Sequence, residues 1–146
     1  MSFWDRSAVL PLVLDEPATV AIDEIRRVHG APVVWWATLI ECHSALARRV
    51  RTGDITAEQK QDAERLLRTL AEAWSEVQAT AALRNRACRL LAVHDLRAAD
   101  AMQLAAALAW SGEQPVGRAF VCLDSRLREA AAKEGFRVLP EKALPE

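Results

Sequence analysis

Cysteine, histidine, net charge and long apolar runs are all scarce in this chain, and each scarcity closes off a class of protein. The three cysteines stand at 42, 88 and 122. An odd, widely spaced set suits neither a disulfide framework nor a zinc knuckle, so a reducing compartment is expected. No stretch reaches the roughly 18 apolar residues needed to span a bilayer, and no membrane contact is expected. The opening MSFWDRSAVLPLVLDEP carries a short apolar run broken by Pro11 and no basic leader. That argues against a secretory signal and for a cytoplasmic protein. The 19 basic residues nearly balance the 20 acidic ones, leaving a net charge of -1. Because nonspecific affinity for a polyanion comes mainly from Lys and Arg neutralising phosphates, any contact with nucleic acid must be local.

What is present is a chain of 146 residues, 51% hydrophobic and 27% charged, the length and composition of one globular domain. SFW ends at Asp5, and SAVLPLVL is dense enough in apolar residues for a buried helix despite Pro11. Ala18 to Val28 reads as an amphipathic helix with Val20, Ile25 and Val28 turned inward, ended by Gly30. VVWW is a buried strand feeding a helix from an N-capping Thr38 to Arg51. Leu39, His43, Leu46 and Val50 form its apolar stripe, with Glu41, Ala45 and Arg48 facing the other way. The spacing predicts a helix over Thr56 to Val77 and another from about Leu83 to His94. LRAADAMQLAAALAW is a buried helix, AFVCL a strand ending at Asp124, Ser125 to Lys133 a helix, and FRVL a last short strand. Alternation of this kind predicts an α/β three-layer sandwich, a mostly parallel central sheet flanked by helices, with a helical insertion between the second and third strands.

Four carboxylates recur at one kind of place in that scaffold. Asp5 and Asp124 close strands before helices, Glu41 sits in the first turn after a strand, and Asp100 lies in the first turn of a buried helix. In a parallel sheet the strand C-termini share one edge, where ligands bind. Taken singly each acid is an ordinary capping or surface residue; together they can converge in one cleft. Convergence raises their pKa values and costs hydration, and helix N-termini offset about 0.3–1 kcal/mol each. A divalent cation offsets much more, and an all-oxygen donor set favours Mg²⁺ or Mn²⁺ over zinc.

At these residues the sequence resembles the PIN domain, and within it the VapC-like ribonuclease toxins of type II toxin–antitoxin pairs. FWDRSAVLPLVLDEP is similar to the family's opening strand and helix, and LIECHSALARR to the segment bearing its glutamate. LRAADAMQLAAA and VCLDSRLREAA resemble its third and fourth acidic motifs. AWSEVQATAALRNRACRLLAVHD also fits, so the likeness runs from about residue 3 to 139 of a single domain over 1–146. It implies a metal-dependent endoribonuclease with Mg²⁺ or Mn²⁺ held by Asp5, Glu41, Asp100 and Asp124, and Ser7 as the supporting hydroxyl. It also implies an RNA substrate, a cognate antitoxin protein and a homodimer. Three positions depart from the family pattern. Arg6 stands where Thr or Ser is usual, Cys122 replaces a common Thr, and Gln103 replaces a frequent His.

Other readings remain open at this point. Of the arginines, Arg6, Arg48, Arg49 and Arg51 are candidate contacts for RNA phosphates, the plainer reading being solvated helix faces. Trp4, Trp35, Trp36, Trp74 and Trp110 can stack on bases or pack in the core, and Trp74 is expected in the core. His94 and Asp95 form the pair used by HD phosphohydrolases, but only His29 and His43 are left to complete such a centre. A dehalogenase-like phosphatase would need an acid at position 7, which is Ser7. The alternative that competes best is a catalytically weak PIN-like protein that binds RNA or a partner.

Overall fold

Five strands of three residues each make the sheet: β1 (Ser2–Trp4), β2 (Val33–Trp35), β3 (Ser75–Val77), β4 (Ala119–Val121) and β5 (Arg137–Leu139). In the computed structural model, which describes residues 1–144, they lie in the order β3-β2-β1-β4-β5. Every pairing is parallel, with Phe3 opposite Val33 on one side and Phe120 on the other. The helices are α1 (Arg6–Val13), α2 (Thr19–His29), α3 (Thr38–Arg51), α4 (Ala57–Ala73), α5 (Ala81–Val93), α6 (Ala98–Trp110) and α7 (Ser125–Glu134). This is the three-layer α/β arrangement that the alternation of segments predicts.

Period-two alternation along the strands feeds two separate cores. Phe3, Val33, Trp35 and Phe120 point to one face, where they meet α5, α6 and α7 through Leu83, Leu90, Leu104, Leu108 and Leu127. Trp4, Val34, Ala119 and Val121 point to the other, against α1 to α4 through Val9, Ile22, Leu46 and Leu67. A parallel sheet covered on both faces must be apolar at nearly every position. That is why VVW and AFV read as unbroken apolar runs. The alanines of α6 have a related cause: Ala101, Ala105, Ala106 and Ala107 are fully buried, and side chains this small let the helix backbone lie close to the sheet.

Four local expectations are overturned. The helix predicted to run to Val77 stops at Ala73; Trp74 turns extended at φ -81, ψ 165, and Ser75–Val77 becomes edge strand β3 beside β2. Trp74 and Val77 fit a helical period equally well, and a three-residue, half-exposed strand is too short to reveal its own. In α2, Val20 and Val28 face outward, 81% and 71% exposed, and Ile22 is the buried residue. In α3 the buried stripe is Thr38, Cys42, Ala45 and Leu46, whereas His43 is exposed. Small Cys42 and Ala45 admit closer packing than Leu39 and His43 would, so the helix turns that face inward. Thr38 is then the first residue of the helix rather than its cap, which is Ala37 without a side-chain bond. Trp4, Trp35 and Trp74 are buried, as core packing requires, while Trp36 is 54% exposed.

Close packing of α6 makes a volume prediction. Ala106→Leu should destabilise the protein by about 1–3 kcal/mol through overpacking, whereas Ala109→Leu, on the exposed side of the same helix, should stay within about 0.5 kcal/mol. Urea unfolding of the two variants, compared at equal m-value, checks this.

Candidate active site

Four helices begin at the C-terminal edge of the sheet, and each carries one of the predicted acids at its start. Asp5 caps α1 from the end of central strand β1. Asp124 caps α7, its Oδ1 accepting from the Leu127 amide at 2.9 Å. Glu41 and Asp100 lie in the first turns of α3 and α6. β1 and β4 are neighbours, and the chain leaves β1 toward β2 on its other side. The crevice between Asp5 and Asp124 is therefore a topological switch point.

Asp5 is the best-held of the four and only 2% exposed. Its Oδ2 accepts from the Ser7 hydroxyl at 2.6 Å and the Ser7 amide at 3.2 Å, and lies 3.6 Å from the Cys122 thiol. The same Ser7 oxygen accepts from the Leu123 amide at 2.9 Å, tying the start of α1 to the segment that leads from β4 to Asp124. With Oδ2 saturated, Oδ1 is buried and has no hydrogen-bond partner. Leaving a buried oxygen unpaired costs about 1–3 kcal/mol, which is tolerable where a ligand completes it.

On the opposite wall, Glu41 Oε2 accepts from Arg6 Nη1 and from Gln103 Nε2, each at 3.1 Å. Gln103 also donates to Thr38 Oγ1 at 3.1 Å, while its own Oε1 is buried and unpaired. Both buried, partnerless side-chain polar atoms found among the described residues thus belong to this site.

The charges sense one another. Burial pushes the Asp5 carboxyl above its ordinary pKa, against the pull of Ser7 and Arg6, and Glu41 adds to the rise. Burial, then the Asp124 and Asp5 charges, raise Asp100. Burial with the Asp5 and Glu41 charges pushes the Cys42 thiol up to about 12, and Cys122 is raised for like reasons. For Arg6 burial works against the charge, but the Glu41 hydrogen bond and the Asp5, Glu41 and Asp100 charges outweigh it, and its pKa is raised.

The donor set is oxygen alone, one of its oxygens being buried without a partner, and so fits a hard divalent cation. Among the described residues no three His, Cys, Asp or Glu side chains already stand close enough to share one ion.

Of the other predicted residues, Ser7 lies at the centre, and Arg6 and Arg48 line a cavity of about 210 Å³ with Glu41 and Ser44. Arg49 does not join them, because it is paired with Glu16, and Arg51 is exposed at the far end of α3. Thr38 and Ser44 are the additions that sequence reasoning missed. Their signal is spacing, since Thr38 and Ser44 lie three residues either side of Glu41 on one helix. The adjacent His94 and Asp95 form no such centre: His94 Nε2 contacts Glu134 at 2.7 Å.

Comparison with known proteins gives the chain its family. The PIN domain family model matches residues 3–133. Two relatives, Ribonuclease VapC45 and Ribonuclease VapC49 from two strains of Mycobacterium tuberculosis, are each 36% identical over 143 residues, covering 98% of this chain and 97% of the relative.

A stability prediction follows from Asp100. Its folded pKa lies above the unfolded value, so its charge opposes folding at pH 7, and that cost fades as pH falls through the folded pKa and the carboxyl protonates. Asp100→Asn in metal-free buffer should raise the melting temperature at pH 7. Because Asp100 is half-buried, solvent screening keeps the gain under about 1 kcal/mol, or up to roughly 3 °C. Thermal melts from pH 7 down to pH 3 should show wild type and variant converging.

Proposed function

Because the chain belongs to the PIN domain family, we propose that it is a metal-dependent endoribonuclease, the toxin of a toxin–antitoxin pair. In this reading Asp5, Asp100 and Asp124 hold Mg²⁺ or Mn²⁺ directly, and Glu41 holds it directly or through water. The observation that carries the reading is the buried, unpartnered Oδ1 of Asp5 among acids at four helix starts. That both relatives are ribonucleases supports the substrate class.

A bound divalent cation would make water a better nucleophile and stabilise the charge that develops on the phosphate oxygens. The chain's own residues do the positioning. Ser7 and Cys122 occupy Oδ2 of Asp5 and so leave Oδ1 to face the ion. Leu127 fixes one oxygen of Asp124, leaving the other free. Gln103 steadies Glu41. The helix N-termini beneath the four acids lower the cost of gathering them.

The competing reading, a catalytically weak protein that binds RNA or a partner, draws on one observation: Arg6, a permanent cation, already sits against Glu41 at 3.1 Å. By family resemblance the proposal extends to a homodimer and a small antitoxin protein. No helix among the described residues is long and apolar enough to cross a membrane.

Purified protein, freed of any partner, should cut single-stranded RNA in Mg²⁺ or Mn²⁺ and stop in EDTA. Asp5→Asn or Asp100→Asn should lower the rate by at least about 100-fold, since each removes a ligand from an ion worth several kcal/mol in the transition state. Both variants should keep a wild-type circular dichroism spectrum. RNA left intact in both metals, with Asp100→Asn indistinguishable from wild type, would decide for the binding reading.

A further inference from the structure

The contact between Arg6 and Glu41 stands where a nuclease can least afford it. Glu41 Oε2 takes two donors, Arg6 Nη1 and Gln103 Nε2, which uses both lone pairs of the oxygen. Its other oxygen, Oε1, is left to meet a cation, but a guanidinium held against the same carboxylate repels that cation. Gln103 is fully buried and also tied to Thr38. Arg6 is the movable partner, with a side chain 33% exposed against 15% for Glu41. A guanidinium keeps its charge at every working pH, so Arg6 offsets the acids permanently as long as it stays in place.

Arg6 also has somewhere to go. It lines the cavity of about 210 Å³ with Glu41, Ser44 and Arg48. Glu41, Ser44 and Arg48 fall at i, i+3 and i+7 along α3, one face of the helix. The stripe leads from the acidic crevice outward to an exposed hydroxyl and an exposed guanidinium. Across it stands Arg6, whose five donors make a fork of which one N–H is spent on Glu41. Two guanidinium groups and a hydroxyl around an open cavity are the chemistry of a phosphodiester seat. Arg49, held by Glu16, is not available to this cavity.

Resting on the ribonuclease reading, we propose that Arg6 is an exchangeable counter-ion. In the free protein it holds Glu41; when an RNA phosphate enters between Arg6, Ser44 and Arg48, Arg6 turns to the phosphate and releases Glu41 to the divalent cation. Metal and RNA then bind cooperatively through one side chain. By linkage the coupling is reciprocal: RNA tightens metal binding as much as metal tightens RNA binding. The device keeps the acidic crevice neutralised until substrate arrives.

The test uses the full-length chain and two readouts that need no turnover. Mn²⁺ affinity is measured by electron paramagnetic resonance without RNA, and binding of a mixed-sequence single-stranded RNA is measured by fluorescence anisotropy in EDTA. Arg6→Thr should tighten Mn²⁺ by about fivefold or more, the lower range of such couplings. It should also weaken RNA and reduce the salt slope by about 0.7, one phosphate contact on a single strand. Arg48→Ala should weaken RNA alike, yet leave Mn²⁺ affinity within about twofold, since Arg6 and not Arg48 is the guanidinium paired with Glu41. Arg6→Ala replaces Arg6→Thr, with the same limits, should that variant not fold. Exchange is overturned if Arg6→Thr changes only one of the two affinities, or neither. If no form binds Mn²⁺ and wild type cuts no RNA, the ribonuclease reading falls and this inference falls with it; Mn²⁺ binding by wild type with an unresponsive Arg6→Thr removes the inference alone.

Discussion

Asp5 keeps a carboxylate almost wholly out of water at the end of the central strand, and the Ser7 hydroxyl is the contact that makes this tenable. At 2.6 Å from Asp5 Oδ2 it donates a short, charge-assisted bond, and through its own lone pair it receives the Leu123 amide. One side chain thereby joins the start of α1 to the end of β4. Burying a carboxylate without such partners would cost several kcal/mol. With them, one oxygen is satisfied and the other is left without a partner. The orientation of the remaining acids has meaning only relative to that fixed oxygen.

Around Asp5 the fold solves an electrostatic problem by position. Four acids are brought to one sheet edge, and all four sit at helix starts, where unpaired amides and the helix dipole favour negative charge. These contributions are individually small, and the raised pKa of Asp5 and of Asp100 shows that they do not cancel the cost of burial and like-charge repulsion. Arg6 offsets a further part, its charge pulling against the rise at Asp5 and Asp100 while it is bonded to Glu41. Gln103 and Cys122, which replace more usual family residues, are not idle substitutions: one donates to Glu41, the other lies against Asp5 Oδ2.

Legibility in the sequence followed the length and the burial of each element. The strands that are covered on both faces, VVW and AFV, were readable because both-sided burial forces continuous apolar composition. α6 was readable because Gln103 and Asp100 are the only polar side chains in an otherwise apolar and small-residue helix. β3 was not, since SEV is an edge strand whose residues fit the preceding helical period. The inward face of α3 was misplaced for a different reason. Ranking Leu39 above Cys42 and Ala45 by hydrophobicity neglects that close packing against α1 and α4 selects for small side chains.

Local chemistry and periodicity by themselves determined the α/β alternation, the apolar strands and the placing of an acid at the start of α1, α3, α6 and α7, because those depend on neighbours along the chain. Only the tertiary structure decided which oxygen of Asp5 is left unpaired, that Arg6 and Gln103 share Glu41 Oε2, and that Arg48 rather than Arg49 borders the crevice. Each of these involves a contact between residues 33 or more positions apart: Cys122 with Asp5, Arg6 and Gln103 with Glu41, and Glu16 with Arg49. Hydrogen-bond geometry falls off within a few tenths of an ångström, and no pattern along a chain specifies distances that fine.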